Sequence, residues 1–224
     1  MRNVDRLAEP RVLRRDARRW TEELLRAIAE AKRTNGKVRP ALWNRYNRKE
    51  VRECLNLMFS GLCCYCESRV GDVAYENIEH RQPKARFHDL TFAWNNLHLA
   101  CPRCNQAKSD KWDSVNEILD AVTDSPISNH LQYLVTRTAV LRDGTTERGA
   151  LTIEHADLNR DGLLQTRQEV WNEATMTVLL LREKERAQAD APTVRIAKDQ
   201  LRRLFSCEHG SLIKFVADRV LESV

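Results

Sequence analysis

The sequence contains few residues that break helices, and it has no long apolar run. Its 224 residues include only seven glycines and six prolines, a composition that favours long helices with few loops. No run of 18 apolar residues occurs, so no segment is expected to span a membrane. The N-terminus also lacks the apolar core of a secretory signal. These absences predict a cytoplasmic protein whose cysteines stay reduced.

Positive charge is distributed unevenly along an otherwise ordinary globular composition. Hydrophobic residues make up 42% and charged residues 31% of the sequence, which excludes an intrinsically disordered chain. The net charge is +5; residues 1–50 hold 15 Lys/Arg and 7 Asp/Glu, or 15 − 7 = +8, so residues 51–224 carry 5 − 8 = −3. This basic N-terminal region indicates attraction to phosphate or to an acidic partner, or only a solvated helix face.

Hydrophobic periodicity predicts helices at both ends of the chain. Apolar residues three or four positions apart indicate a first helix that ends near Asn35-Gly36. A second helix is expected to follow Pro40 and to stop at Ser60-Gly61. Three further helical segments are expected at residues 115–119, 163–189 and 194–221.

The middle of the chain has short alternating runs instead. Residues 73–75 and 77–80 are expected to be strands, followed by a loop at residues 82–84 and a helix that begins at Pro102. Residues 131–141 are rich in Val, Thr and Tyr, and a turn at Asp143-Gly144 would close a hairpin near 131–153. The layout is a small ββα unit between helical flanks.

Four cysteines form two pairs at the spacing of a structural metal site, Cys63-x-x-Cys66 and Cys101-x-x-Cys104. Each C-x-x-C closes a tight turn that points two sulfurs at one position, and two such turns complete a zinc tetrahedron. Buried free thiols are the alternative. Cys64 lies beside a ligand at unsuitable spacing. We therefore predict a structural zinc whose removal unfolds the segment.

Four stretches of sequence together resemble the HNH endonucleases: CCYCE (63–67), IEHRQPK (78–84), WNNLHLAC (94–101) and CPRCNQAK (101–108). The form they resemble contains zinc and has Asn in place of the last motif His. Their wording looks most like the HNH subunit of Septu-type and related retron-associated anti-phage systems. The motifs span about fifty residues of the chain.

The resemblance implies an α+β fold that is mainly α. A small zinc-stabilised ββα-metal (HNH) module is expected at residues 62–111, between a helical, basic N-terminal region (1–61) and a mostly helical C-terminal region (112–224).

The resemblance also implies a role for each motif residue. His80 is the expected general base, since a neutral imidazole near its unperturbed pKa can take a proton from water at physiological pH. Glu79 and Asn105 would hold one Mg²⁺ or Mn²⁺, whose preferred ligands are hard oxygens. Asn96 would position the base and its loop. The expected phosphate contacts are the basic residues Arg81, Lys84 and Lys108.

One geometric condition applies to this site. Adjacent residues of a regular strand point to opposite faces, so Glu79 and His80 can share one metal only at a strand end, bulge or bend. Continuous ladder pairing through both residues, with side chains pointing apart, would count against a shared site.

Other motif-like residues are interpreted as structural. A second Ile-Glu-His triplet at residues 153–155 has no cysteine pairs around it. His88 and His98 lie within the module but outside the motif register, and they are interpreted as packing or hydrogen-bonding residues, with contact of His88 to the substrate as the alternative. Residues 157–162 imitate a calcium loop, but its twelfth position is Gln168 instead of the required glutamate.

Three functions remain open on this evidence. The first is a metal-dependent endonuclease acting on DNA or RNA, as the effector of an anti-phage complex with an ABC-type ATPase and with or without a retron RNA–DNA complex. The second is a stand-alone, restriction-type HNH nuclease. The third is a zinc-containing nucleic-acid-binding module without catalysis. Sequence preference is not indicated, because HNH sites contact the phosphate backbone more than bases.

Overall fold

The structure, a computed structural model, describes residues 1–70, 77–187, 191–205 and 207–222. Over these ranges the chain is mainly helical with two small sheets, which confirms the predicted class. The strand predicted at residues 73–75 lies outside the described residues. The elements in chain order are α1 (Arg11–Thr34), α2 (Pro40–Trp43), α3 (Lys49–Phe59), β1 (Asn77–His80), β2 (Leu97–Ala100), α4 (Pro102–Lys108), β3 (Leu131–Val135), β4 (Val140–Gly144), α5 (Glu147–His155), α6 (Asp161–Arg186), α7 (Ala191–Leu204) and α8 (Gly210–Glu222).

Helix α1 forms as its periodicity predicts. It buries Leu13, Trp20 and Leu24 along one face, and the Trp20 ring packs edge-to-face against Phe92 at 5.6 Å. The helix ends where Asn35 adopts a left-handed conformation and its N–H bonds to a carbonyl of the last turn. The predicted end at Asn35-Gly36 is therefore confirmed.

The predicted second helix is two helices, so its continuity was wrong. Helix α2 ends at Trp43, and a turn at residues 44–48 precedes α3. The backbone N–H of Asn47 bonds to the carbonyl of Asn44, a turn that asparagine favours. The break brings Tyr46 out of the helical face and into contact with the loop after β1. Ser60, in a left-handed conformation, ends α3 as predicted.

Strands β1 and β2 form an antiparallel pair against which α4 packs. Glu79 lies opposite His98, and His80, the last residue of β1, lies opposite Leu97. Pro102 opens α4, where its missing N–H costs no helical hydrogen bond. The predicted strand at 77–80 and the helix from Pro102 are confirmed. Strand β2, which completes the ββα unit, was not predicted.

The predicted hairpin exists, but its turn was misplaced. Strands β3 and β4 pair antiparallel around residues 136–139, where Thr136 bonds through its backbone and hydroxyl to Ala139. Gly144 ends β4 instead of forming the turn. The backbone of α5 packs so closely there that a Cβ would lie 2.3 Å from the backbone nitrogen of Ala150. The chain then enters α5, so the hairpin stops short of residue 153.

The helix predicted at residues 115–119 does not form. The Asp113 carboxylate accepts hydrogen bonds from the N–H groups of Val115 and Asn116. The N–H of Leu119 bonds to the Thr152 hydroxyl. The Leu119 donor is one that a helix over residues 115–119 would have used, so its bond to Thr152 replaces the helical bond at the end of the segment.

Two hydrophobic cores organise the described residues. The larger joins α1 and α3 to the cysteine segment and to β2, and it reaches Leu163 at the start of α6. The smaller is formed by Tyr133 and Val140 with helices α6, α7 and α8. None of the described helices is both long and apolar enough to cross a membrane. The larger core contains residues from both sides of the predicted domain boundary at residue 62. That boundary therefore remains a prediction based on a change in sequence composition.

Candidate active site and metal centre

The four predicted cysteine ligands lie together. The sulfurs of Cys63, Cys66, Cys101 and Cys104 are all within 4.8 Å of one another. Cys66 Sγ and Cys101 Sγ are 3.8 Å apart. A tetrahedron with metal–sulfur distances of about 2.3 Å requires sulfur separations of about 3.8 Å, so the cluster fits a zinc site. Cys64 is buried outside it, as its spacing predicted.

Two tight turns bring the sulfurs together. After Cys63, the Glu67 N–H donates to the Cys63 carbonyl, and Leu62 pairs with Arg69 across the turn. Cys101 occupies the position before α4, where its sulfur accepts from the Cys104 N–H at 3.5 Å. Helix α4 and the residue that caps it therefore supply two sulfurs, and the helix carries Asn105 and Lys108 beyond them.

Arg160, which precedes α6, contacts the cluster. Its Nη1 lies 3.4 Å from Cys104 Sγ. Four thiolates around a divalent ion leave a net charge of −2, which a guanidinium at this distance partly balances. This contact ties the C-terminal helices to the cysteine cluster.

Glu67 makes a second link between the cysteine segment and the C-terminal helices. Its buried carboxylate accepts from Arg142 Nη2 at 3.3 Å, from the Ser211 N–H at 3.1 Å and from the Met1 ammonium at 2.7 Å. Burial alone would raise the pKa of Glu67, but the positive charges of Met1, Arg142 and Arg2 outweigh it and lower that pKa. The residue after a metal ligand is thus fixed by an ion network.

His80 is buried at the end of β1 and oriented by two contacts. Its Nε2 lies 3.0 Å from the Thr91 carbonyl oxygen, which makes Nε2 the protonated nitrogen of the neutral ring. The Tyr46 ring packs edge-to-face against the imidazole at 4.6 Å. Burial lowers the pKa of His80 to about 3, helped by the charges of Lys84 and Lys108. The ring is therefore neutral near pH 7, with the Nδ1 lone pair available.

Glu79 faces a different set of partners. Its Oε1 lies 2.6 Å from Lys108 Nζ and accepts from the Tyr65 hydroxyl at 3.2 Å. Burial raises the pKa of Glu79, and the Lys108 ammonium counteracts part of that shift. The buried carboxylate is thus paired with a buried lysine of α4.

The pairing of β1 bears directly on the condition for a shared metal site. The β1–β2 ladder runs without a bulge through Glu79 and His80, whose side chains contact different groups. This counts against a single ion that is ligated by both side chains, although His80 meets the strand-end condition as the last residue of β1. The proposed role of His80 does not require ligation, because a general base can act on a water molecule beside the ion.

Asn105 and Glu79 provide suitable donor chemistry for a hard divalent cation. The half-buried Asn105 side chain forms no hydrogen bond to any described residue, so its amide oxygen is available. The Glu79 carboxylate is a suitable second oxygen ligand, but a metal there would have to share it with Lys108 or displace the ammonium.

Asn96 fastens the loop that follows the candidate base. Its Oδ1 accepts from the Gln82 N–H at 2.8 Å, and its Nδ2 donates to the carbonyls of Gln82 and Leu90. The Arg81 N–H bonds to the Asn96 carbonyl. These bonds fix the backbone just beyond His80, the arrangement expected of a residue that positions the base.

The three basic residues expected to contact phosphate differ in availability. Lys108 has a 1% exposed side chain and is paired with Glu79, so a phosphate arriving from solvent does not reach it. Arg81 is paired with Glu117 at 3.0 Å and with Asp120 at 3.5 Å. Lys84 donates to the Tyr46 hydroxyl at 2.8 Å and has no acidic partner among the described residues. Of the three, Lys84 is the best placed to bind phosphate.

Sequence reasoning missed the residues that surround His80 and Glu79. Tyr46 lies inside the range of the continuous helix expected after Pro40, and the sequence patterns indicate no role for Tyr65 or Thr91. Only the tyrosine hydroxyls hinted at polar contacts, since a buried tyrosine normally finds a hydrogen-bond partner. His88 and His98 make local contacts, as predicted: His88 Nδ1 with the Lys84 carbonyl at 2.8 Å, and His98 Nε2 with Asp120 at 2.9 Å.

Comparison with known proteins identifies the segment that holds this arrangement. Residues 63–111 match the family model of the HNH endonucleases. The match begins at Cys63 and ends just beyond α4, so it includes the four clustered cysteines and the motif residues Glu79, His80, Asn96 and Asn105. The HNH character predicted from the motifs is confirmed for this segment.

Two similar relatives carry the same name. The chain is 30% identical over 155 residues to the Septu protein PtuB of Bacillus mycoides (strain KBAB4), covering 56% of this chain and 52% of the relative. It is 27% identical over 135 residues to the Septu protein PtuB of Bacillus thuringiensis, covering 59% of this chain and 51% of the relative. The chain thus spans about half the length of these relatives. No solved structure matches it.

Proposed function

We propose that this chain is a metal-dependent HNH endonuclease that hydrolyses phosphodiester bonds of nucleic acid. The observation that carries the proposal is the state of His80 within the HNH segment. Its Nε2 is committed to the Thr91 carbonyl and burial keeps the ring neutral, so Nδ1 is the basic atom. The geometry is that of a general base, because one ring nitrogen is fixed by a hydrogen bond and the other is free to accept a proton.

In the proposed reaction, His80 Nδ1 removes a proton from a water molecule as the water oxygen bonds to phosphorus. The opposite P–O bond breaks, and the leaving oxygen takes a proton from solvent. Lys84 balances charge on the phosphate, and Asn96 holds the loop that orients the base. Glu79 and Asn105 would hold a Mg²⁺ or Mn²⁺ ion, which when bound neutralises charge that develops on the phosphate and leaving oxygen.

The second metal of the proposal is a zinc ion on Cys63, Cys66, Cys101 and Cys104. The spacing of their sulfurs supports it, as does their placement on the two elements that carry the active-site residues. Its role would be structural, because four protein ligands leave no open position for substrate.

The likeness to Septu proteins supports a role in anti-phage defence. We propose that the chain is the nuclease effector of a cytoplasmic complex whose other subunit is an ABC-type ATPase, with a retron RNA–DNA complex as a further partner in some systems. These partners follow from the motif resemblance. DNA and RNA, including tRNA, both fit a site that contacts the phosphate backbone.

A nicking assay with and without the ATPase partner tests the proposal. Wild-type chain should cut in Mg²⁺ or Mn²⁺ and stop in a chelator that leaves the zinc bound. His80→Ala should bind nucleic acid and retain its zinc and circular dichroism, but not cut. Wild-type chain that binds without cutting under every condition would refute the nuclease proposal. Cutting by the chain alone, unchanged by the partner, would indicate a stand-alone enzyme.

One observation favours another candidate, the zinc-containing binding module without catalysis. Lys108 lies against the Glu79 carboxylate at 2.6 Å, where a catalytic ion would be needed. If the ammonium never leaves, no divalent cation binds Glu79. Titration of Mn²⁺ followed by paramagnetic broadening of the Glu79 and Asn105 signals would separate the two candidates.

A further inference from the structure

A recess opens between the end of α1 and helix α2, beside the loop that follows His80. Its volume is about 410 Å³, and it is lined by apolar, aromatic and basic side chains that include Ile28, Lys32, Lys37, Trp43 and His88. This volume lies within the range of small-ligand sites. None of the residues in its wall has a role in the reaction proposed above.

Two aromatic rings form one side of the recess. The indole of Trp43 and the imidazole of His88 meet edge-to-face, with centroids 5.3 Å apart and planes at 75°. Both residues are half-buried, so each keeps part of its surface open. Partly exposed aromatic faces are the platforms on which nucleic-acid bases stack.

His88 also offers a hydrogen-bonding edge. Its Nδ1 lies 2.8 Å from the Lys84 carbonyl oxygen and therefore carries the proton in the neutral ring. Nε2 then has a lone pair that can accept a hydrogen bond from a base. The recess thus combines a stacking surface with a polar contact.

Unpaired positive charge lies at the mouth of the recess. Several arginines of α1 are neutralised by acids of the same helix, such as Arg19 by Asp16 at 2.8 Å and Arg33 by Glu30 at 2.7 Å. Lys32 and Lys37, by contrast, are exposed and form no ion pair with any described residue. The excess charge of the N-terminal region is thus available where a phosphate could reach it.

The recess connects to the candidate base through direct contacts. His88 bonds to the Lys84 carbonyl, Lys84 Nζ donates to the Tyr46 hydroxyl, and the Tyr46 ring packs on the His80 ring. A strand whose phosphate lies at Lys84 would therefore have a neighbouring nucleotide near Trp43.

We propose that this recess binds one unpaired base of the nucleic-acid substrate, with Lys32 and Lys37 on the flanking phosphates. The inference rests on the proposed function and extends it by naming the substrate class, a strand with an unpaired nucleotide beside the cut. Bases inside a duplex are stacked on their neighbours and do not offer a free face to Trp43.

Binding measurements on the full chain with His80→Ala test this inference without cleavage. Fluorescence anisotropy would compare a labelled single strand with its duplex of equal length. Adding Trp43→Ala should weaken single-strand binding about ten-fold and change duplex binding by less than about two-fold. Trp43→Phe, which keeps a ring, should retain most of the affinity.

The double variant Lys32→Ala/Lys37→Ala decides the matter if Trp43→Ala lowers stability, since both lysines are exposed. It should reduce the salt dependence of single-strand binding by about 1.4 in log–log slope, about 0.7 for each lost phosphate contact. Lys214→Ala, which removes an exposed lysine of α8, is the matched control and should leave the slope unchanged.

The inference is overturned if Trp43→Ala leaves single-strand affinity within about two-fold, or weakens duplex binding equally. It is also overturned if the double lysine variant keeps the wild-type slope. A cleavage assay of the chain with His80 intact distinguishes the two proposals. If that chain cuts, the failed binding test overturns only the base-binding recess, and the proposed function stands. If Trp43→Ala selectively loses single-strand binding and the chain with His80 intact does not cut, the recess is supported as a base-binding site and the nuclease proposal is refuted.

Discussion

Lys108 Nζ lies 2.6 Å from Glu79 Oε1, which places a buried ion pair at the point where a catalytic cation is expected. The same ammonium donates to the His80 carbonyl at 2.8 Å. One lysine therefore connects α4 to both adjacent residues of β1. A divalent cation at Glu79 would compete with an internal cation, so metal affinity and stability should be coupled at this site.

Replacing Lys108 with methionine should expose that coupling. Without metal, Lys108→Met leaves the Glu79 charge buried and unpaired, which should cost about 3–5 kcal/mol in the free energy of unfolding. The double variant Lys108→Met/Glu79→Gln removes both charges and should recover most of that loss. Urea unfolding with and without Mg²⁺ measures both effects.

Added Mg²⁺ should stabilise Lys108→Met more than wild type, because no ammonium has to be displaced. A double variant as unstable as the single one would show that the lost contact is packing and not charge.

Removing one cysteine of the cluster should unfold the HNH segment. Cys104→Ser deletes a ligand in the larger core, and the zinc content per chain should fall together with helical circular dichroism. Cys207→Ser, at an exposed cysteine outside the cluster, is the matched control and should retain zinc and fold. A folded Cys104→Ser chain without metal would contradict a structural role for the cluster.

His80 should make the stability of the fold depend on pH. Burial lowers its pKa to about 3 in the folded state, against about 6.5 when unfolded, so the unfolded chain binds the proton first as pH falls. The His80 contribution is complete above about pH 6.5 and is lost progressively down to about pH 3. The loss approaches about 1.4 kcal/mol per pH unit between these values.

A comparison of wild type with His80→Ala isolates this effect. The advantage of wild type in urea unfolding should shrink between pH 7 and pH 5. Phe92→Leu, a non-titrating change in the same core, should show a difference that does not vary with pH. A wild-type advantage that stays constant over this range would mean that the folded His80 titrates normally.

Tyr46 should act as a positioning residue through two separable contacts. Tyr46→Phe keeps the ring against His80 and removes only the hydroxyl that holds Lys84, so KM should rise several-fold with little change in kcat. Tyr46→Ala removes the ring as well and should lower kcat by about 10-fold or more, because the base loses its orientation.

Tyr133→Phe provides the control for Tyr46, since it removes a hydroxyl bonded to Ser211 in the smaller core. Its kinetics should match wild type. Equal effects of Tyr46→Phe and Tyr46→Ala on kcat would exclude separate roles for the hydroxyl and the ring.

Neutralising Glu67 should loosen the C-terminal helices from the cysteine segment. Glu67→Gln leaves Arg142 buried without its carboxylate and should cost about 3–5 kcal/mol of unfolding free energy. Glu22→Gln, which breaks an exposed pair on α1, is the control and should have no measurable effect. Hydrogen exchange in α8 should increase in Glu67→Gln; unchanged protection there would argue against the link.

Local sequence patterns predicted those parts of the fold that depend on neighbours in the chain. The end of α1 at Asn35, the start of α4 at Pro102 and the strand 77–80 all formed where their residues indicated. Other predictions failed for different reasons. The Thr152 hydroxyl captures the N–H of Leu119. A local turn at Asn44 divides the expected second helix, and the hairpin turns at residues 136–139, before Gly144.

The sequence by itself determined which chemistry is available in this protein. Spacing alone selected the four cysteines, because a C-x-x-C turn is a local structure whose two sulfurs converge wherever it folds. Motif wording alone identified Glu79, His80, Asn96 and Asn105 as a set within the segment that matches the HNH family.

Only the tertiary structure decided the state of those groups. The pKa of His80, the nitrogen that bears its proton and the cation paired with Glu79 depend on Thr91, Tyr46 and Lys108, which reach the site from other elements. Desolvation and Coulomb interactions act through space, so residues far apart in the chain set them together. Sequence spacing carries no record of those distances.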